Sequence, residues 1–379
     1  MKYVDEYRDG RIARTLGATI ARTVRLDRDY RFMEFCGGHT HAISRYGIED
    51  LLPANVRMIH GPGCPVCVLP IGRIDAAIRL SKRPEITLCT YGDVMRVPGS
   101  RETSLFKAKA AGADIRMVYS TLDAIRIAES EPSREVVFFA VGFETTTPPT
   151  ALAIRLALRK KLTNFSVFCN HVLTPPAILA VLTSADMPEF GGVKVDGFIG
   201  PSHVSTVIGT EPFAPFAEAF EKPVVVAGFE PLDVMQAILL LVRQINDGRH
   251  EVENQYTRAV TRAGNCKAQA EMADIFELRE SFEWRGLGLV PRSGLRLKEA
   301  YAACDAERRF NVQDVPGRDN PACECGAILR GVKNPIDCKL FGTICTPDAP
   351  MGSCMVSSEG ACAAHWTYGR FRDLARRAS

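Results

Sequence analysis

The sequence predicts an α/β protein: two similar parallel-sheet α/β domains around a cleft, joined to a helical, cysteine-rich domain. Three observations carry that prediction. Over the first 240 residues short β-rich runs alternate with helical patterns, the same succession restarts near residue 131, and six of the thirteen cysteines crowd into residues 323–362, where periodicity disappears. The expected division is 25–130 and 131–245 for the two α/β domains, with 246–379 and 1–24 together forming the third.

In chain order, "RFMEF" (31–35) ends in "CGGHTH", "NVRMIH" (55–60) in "GPGCPVC" and "EITLCT" (85–90) in "YGD", while "DIRMVYS" (114–120) leads into "TLDAIRIAE". The pattern resumes with "EVVFFAVG" (135–142) before "FETTTPP", "NFSVFCNH" (164–171) before "VLTPP", "VDGFIG" (195–200) before "PSHVS", and "PVVVAGF" (223–229) before "EPLDVMQAI". Leu122-Asp123 and Leu232-Asp233 both open helices, and His60 and His171 both end second strands, so the eight strands read as two copies of one four-strand unit. Alternation of this kind implies parallel sheets covered by helices on both faces. Residues 245–310 read as helical and polar. Beyond about residue 318, Gly, Pro and Cys dominate, and a metal would serve to fold the segment.

Length and composition bound the function. A chain of 379 residues suggests two or three domains at about 100–200 residues each. The net charge of +3 is too small to argue for nucleic acid, and the short basic runs Arg159–Lys161 and Arg376–Arg377 read as a solvated helix face or tail. No apolar run approaches the roughly 18 residues of a membrane span. "MKYVDEYRDGR" lacks the apolar centre of a signal peptide, so a cytoplasmic protein is expected. In that reducing setting thirteen cysteines point to metal binding or redox chemistry rather than a disulfide framework.

In parallel α/β sheets ligands bind at the carboxyl ends of the strands. Cys36, His39, Cys64, Cys67, Asp93, Glu144, His171, His203 and Glu230 all sit there, and one cleft collects them if the two sheets turn these edges together. In "CGGHTH" the glycines allow a sharp turn with Cys36 at its tip, where a helix N-terminus would lower the thiol pKa and favour a thiolate ligand, with His39 and His41 close enough to assist. A tight turn with a buried cysteine fits that loop equally well. "CPVC" reads as a redox dithiol, with a zinc half-site as its competitor. Glu144 in "GFETTTPP" is an acid, base or supporting partner whose pKa burial would raise, while capping explains the Thr run. Cys89, Cys169, Cys266 and Cys304 read as inert packing. Neither a dinucleotide fingerprint nor a P-loop is present.

The C-terminal cysteines are Cys323, Cys325, Cys338, Cys345, Cys354 and Cys362. Paired C-x2-C zinc spacing and the ferredoxin run are both missing. Wide gaps and surplus thiols favour an iron–sulfur cluster over zinc, since each iron needs one thiolate. Spacing alone does not choose four of the six.

Together "FCGGHTH", "GPGCPVCV", "YGDVMRVPGS", "GFETTTP", "GPSHVS" and "GTICTPDAPMGSCMVSSEGACAA" closely resemble the HypD family of [NiFe]-hydrogenase maturation factors, over about residues 30–365. The resemblance implies a scaffold on which the Fe(CN)2CO group is assembled, a maturation scaffold with redox activity rather than a conventional turnover enzyme. It implies a HypC-type small chaperone and a HypE-type donor that supplies cyanide from a C-terminal thiocyanate. The family's C-x14-C-x6-C-x16-C pattern selects Cys323, Cys338, Cys345 and Cys362 as [4Fe-4S] ligands, and suggests that Cys325 and Cys354 form a second thiol pair nearby. Cys36 corresponds to the iron-binding cysteine, with His39 beside it, and Cys64 and Cys67 to the redox pair; Glu144 and His203 complete the expected site. Electrons would run from cluster to dithiol to iron site. The chain alone is expected to be a monomer, with neither nucleic acid nor membrane as partner. Two other readings fit the cysteines: an iron–sulfur-dependent protein disulfide reductase and a structural zinc protein.

Overall fold

All eight expected strands form: β1 (Tyr30–Glu34), β2 (Val56–His60), β3 (Ile86–Thr90), β4 (Ile115–Met117), β5 (Glu135–Gly142), β6 (Phe165–His171), β7 (Gly197–Gly200) and β8 (Val224–Val226). A ninth, β9 (Val252–Asn254), follows. The computed structural model describes residues 4–184, 194–313 and 317–370. Arg376 and Arg377 lie outside the described residues.

The α/β class holds, with two parallel sheets ordered β2-β1-β7-β8-β9 and β4-β3-β5-β6. The grouping of strands differs from the two consecutive four-strand units expected. β1 and β2 pair into the sheet of β7 to β9, and the run from β3 to β6 forms the other sheet as an insertion. The physical reason is plain: alternating strand and helix patterns fix that strands exist, whereas pairing is set by tertiary contacts that the pattern does not carry.

Helices link the strands: α1 (Gly10–Thr23), α2 (Gly37–Tyr46), α3 (Pro65–Val68), α4 (Ile71–Ser81), α5 (Leu105–Ala110), α6 (Thr121–Ser130), α7 (Thr147–Arg159), α8 (Thr174–Ser184), α9 (Ser202–Ile208), α10 (Ala214–Ala219) and α11 (Pro231–Asn246). Leu122-Asp123 and Leu232-Asp233 do open helices, where Asp123 and Asp233 close capping boxes with Ser120 and Glu230. Pro148 and Pro149 sit in the first turn of α7, where a missing N–H costs nothing. α1 is capped by Asp9, whose carboxylate accepts from Arg11 N at 2.7 Å, and packs on α11. It therefore joins the first sheet's layer rather than the cysteine-rich segment.

One apolar cluster of Ile20, Tyr30, Phe32, Ile199 and Ile238 holds α1 and α11 on the first sheet, and another of Phe138, Ile154, Phe165 and Ile275 holds α6 and α7 on the second. The third and largest lies between the sheets and draws in Cys64, Cys67, Cys325, Cys345, Cys354 and Cys362. The C-terminal segment thus folds into the main core.

Residues 245–310 are not predominantly helical. They hold α12 (Cys266–Ile275) and two small antiparallel ribbons, β10 (Phe276–Leu278) with β13 (Leu295–Leu297) and β11 (Ser281–Trp284) with β12 (Gly288–Pro291). The alternating burial of Ser281–Trp284 is strand periodicity read as helix. After α13 (Ala306–Arg309), the described cysteine-rich segment has only short turns and two brief helices, α14 (Cys325–Leu329) and α15 (Ala361–Ala364), before a five-residue π-helical turn at His365–Gly369. Among the described residues no helix is long and apolar enough to cross a membrane.

Candidate functional site

The carboxyl edges of the two sheets meet, as the strand-end motifs anticipate. A cleft of about 320 Å³ is lined by Cys36 after β1, Gly63 and Pro65 after β2, Thr145 and Thr146 after β5, and His203 after β7, with Glu359 closing it from the cysteine-rich segment.

Cys36 is the extended residue that caps α2, and its Sγ stands 3.8 Å from His203 Nδ1. The expected depressed thiol pKa is not found. Burial pushes it up to about 12, reinforced by the carboxylates of Glu359 and Glu34, and these outweigh the helix N-terminus. The neighbouring turn is tight: a Cβ on Gly63 would stand 2.5 Å from Cys36 N and 2.7 Å from its Cα, and Gly63 O accepts the Gly37 N–H at 3.0 Å. Glycine is therefore required at 63 by close approach.

Cys64 caps α3, and its Sγ accepts the Cys67 N–H at 3.3 Å. The dithiol thus adjoins the Cys36 turn directly. Burial raises the Cys67 thiol pKa, helped by contacts with the Cys354 and Cys64 thiols. Ser353 donates to Cys67 O at 2.6 Å, and α3 packs against the turn Ser353–Met355, which pins the dithiol to the C-terminal segment.

Cys354 is the junction. Contacts with the Cys325, Cys362 and Cys67 thiols hold it well below the usual thiol range. Cys323 touches Cys325, a contact that with burial raises its pKa. Cys345 Sγ accepts the Met351 N–H at 3.4 Å. The chain folds back between Cys338 and Cys345 through the Phe341 N to Cys338 O and Cys345 N to Leu340 O bonds, both 3.0 Å. Among the described residues no three His, Cys, Asp or Glu side chains form a group that would hold a single metal ion. Cys323, Cys338, Cys345 and Cys362, the four thiols that the family pattern selects, come from separate turns. Gly352 leaves a cradle here, since a Cβ on it would run into the sulfurs of both Cys323 and Cys325. Thiol donors of this kind are the chemistry that an iron–sulfur cluster takes.

Not every strand-end residue reaches the cleft. His39 is buried beneath it, with Nε2 at 3.1 and 3.0 Å from the carbonyls of Ala227 and Gly228, while the Phe229 ring packs at a tilt against both His39 and His203. His41 packs edge-on to Tyr368. Glu144 turns inward and accepts from Thr174 N and Oγ1 at 2.8 and 3.0 Å; burial raises its pKa to about 7, as anticipated. His171 bonds Thr150 Oγ1 at 2.9 Å, and burial lowers its pKa to about 4. Glu230 pairs with Arg8 of the N-terminal segment instead. Asp93 lies near enough to Glu359 to raise its pKa, after burial. Cys89, Cys169 and Cys304 are buried as expected, but Cys266 is exposed at the first position of α12.

Sequence reasoning missed Glu34, Glu359 and the contacts of Cys354 with Cys67 and Cys362, though it paired Cys354 with Cys325. Glu359 sits inside the quoted "SSEGACAA", yet nothing in its spacing signalled contact with Cys36. Glu34 is hidden in an ordinary strand pattern.

Comparisons with known proteins point to one family. The family described as "Hydrogenase formation hypA family", HypD, matches residues 11–369. The chain is 74% identical to hydrogenase maturation factor HypD of Rhizobium leguminosarum bv. viciae, covering 100% of this chain and 98% of that one. It is 64% identical to HypD of Cupriavidus necator, covering 99% of each, and 46% identical to HypD of Escherichia coli, covering 97% and 98%.

Proposed function

The chain belongs to the HypD family of hydrogenase maturation factors, and from that premise we propose that it is the scaffold on which iron receives its cyanide and carbonyl ligands. The observation that carries this reading is the shared cleft: Cys36 and His203 face one space, and the CPVC turn forms its wall.

Iron is the cargo, with Cys36 its thiolate ligand. The neutral thiol loses its proton when the metal binds, because the cation offsets the burial that holds the proton in place. His203 Nδ1, 3.8 Å from the sulfur, is the nearby base, and burial keeps it neutral. Cyanide arrives from a HypE-type donor as a thiocyanate, with a HypC-type chaperone as the second partner. Release of cyanide from R–S–C≡N consumes two electrons. The Cys64–Cys67 dithiol holds that number: R–SCN and two thiols give R–SH, the Cys64–Cys67 disulfide, cyanide and one proton. The contacts of Cys354 with Cys67 and with Cys325 would let the spent Cys64–Cys67 disulfide exchange with those two thiols, giving back the Cys64 and Cys67 thiols and leaving a Cys325–Cys354 disulfide.

Cys323, Cys338, Cys345 and Cys362 would hold a [4Fe-4S] cluster, which supplies electrons singly when bound.

The test is anaerobic co-purification with the small chaperone, followed by iron analysis and infrared spectroscopy. Iron with cyanide and carbonyl bands is expected. Their absence from an iron–sulfur-containing protein would favour a disulfide reductase instead.

A further inference from the structure

Glu34 ends β1 fully buried, two residues before the thiol that faces the cleft. Its Oε2 accepts the Cys36 N–H at 3.0 Å, and its Oε1 accepts the Thr40 hydroxyl and the His60 Nδ1–H, the latter at 3.0 Å. Its carbonyl accepts the Gly61 N–H at 2.9 Å. One side chain and its backbone therefore tie together the turn after β1, the first turn of α2 and the turn that leads into CPVC.

A buried carboxylate is costly, and an apolar residue of similar size would fill this space without that cost. What an apolar residue lacks is acceptors. Here three donors converge from three directions on one carboxylate, and a fully satisfied buried network of this kind fixes the groups it bonds. With its N–H held by Glu34 and its backbone pressed against Gly63, Cys36 has one direction left for its Cα–Cβ bond. Burial works against a charged His60, but the hydrogen bond and charge of Glu34, with Glu49, outweigh it and raise its pKa.

We propose that Glu34 is a positioning residue for the Cys36 thiol: it locks the Cys36 backbone and the His60–Gly61 turn into one frame, so that the sulfur meets iron in a single orientation. The inference rests on the reading of Cys36 as iron ligand. It makes Glu34 a residue of the iron site that never touches the metal.

Two variants separate positioning from packing. Glu34→Gln keeps a carbonyl oxygen for the Cys36 N–H, and its amide can donate to the Thr40 hydroxyl and to the other tautomer of His60. Glu34→Met keeps the volume and offers no acceptor. Each is purified anaerobically with the small chaperone from cells that make the maturation partners, beside the unmodified protein and Cys36→Ala. Iron content and the cyanide and carbonyl infrared bands are read on samples whose circular dichroism matches. Glu34→Gln is expected to keep iron and band positions. Glu34→Met is expected to hold about five-fold less iron, with residual bands shifted or broadened. A folded Glu34→Met with unchanged iron and bands would overturn the proposal. Should Glu34→Met fail to fold, Thr40→Val removes one donor at nearly constant shape; broadened bands support positioning and unchanged bands refute it. Bands missing from the unmodified protein, or undiminished in Cys36→Ala, would instead remove the iron reading and this inference with it.

Discussion

The Cys67 thiol lies against the Cys354 thiol, and through that contact the CPVC turn meets the C-terminal cysteines. Cys354 in turn touches Cys325 and Cys362, so a chain of thiol contacts runs from the CPVC turn into the cysteine-rich segment.

If that contact serves exchange, depriving Cys67 of its usual partner should redirect it. In Cys64→Ser, mild oxidation with diamide is expected to yield a Cys67–Cys354 disulfide, seen as one linked peptide pair by mass spectrometry. A Cys67 that stays fully alkylatable under those conditions would show that the two thiols do not exchange.

Gly63→Ala should damage the site through its backbone. The new Cβ would meet Cys36 N and Cα at 2.5 and 2.7 Å, so the two turns must separate. Urea denaturation is expected to show a loss of about 1–3 kcal/mol, the usual cost of overpacking, and the folded fraction should bind iron poorly. A stable variant with full iron content would show that the turns part without consequence.

Glu144 predicts a pH dependence of stability. Its folded pKa, about 7, lies above the ordinary 4.5, so its contribution is fully present below pH 4.5 and is lost as pH rises through about 7. Glu144→Gln stays neutral throughout. The urea midpoint of the variant relative to the unmodified protein should therefore rise between pH 5 and pH 8. Parallel curves would mean that Glu144 ionises freely in the folded state.

Arg73 predicts a structural effect away from the cleft. It is buried in α4, with bonds to Asn170 Oδ1 at 2.5 Å, Glu307 Oε1 at 2.6 Å and Cys169 O at 3.0 Å. Arg73→Met strips Glu307 of one of its two arginines, the other being Arg279. A loss of about 3 kcal/mol in urea denaturation is expected, with iron binding of the folded protein unchanged. A loss under about 1 kcal/mol would show that Arg279 suffices.

Much of this was legible in the sequence, for physical reasons that can be named. β-branched and aromatic runs such as Glu135–Gly142 form strands wherever they pack, and Gly-rich turns behind them put Cys36 and Cys64 at one edge. Pairing was not legible, because β2 and β3 look alike in sequence yet enter different sheets. Nor was the Cys36 environment: the helix N-terminus is visible in "CGGHTH", but the opposing Glu359 arrives from the other end of the chain. His39 looked like a partner of Cys36 because of its spacing; the helix carries its ring instead to the carbonyls of Ala227 and Gly228. The resemblance paired Cys354 with Cys325, and that contact is present, whereas its contacts with Cys362 and Cys67 had no signal in the spacing.

The most direct test of the scaffold reading is infrared spectroscopy of the anaerobically purified complex with the small chaperone, comparing the unmodified chain with Cys36→Ala. Cyanide and carbonyl bands with bound iron are expected in the first and absent in the second, while the absorbance of the proposed [4Fe-4S] cluster persists in both. Bands of equal strength in Cys36→Ala would contradict the account.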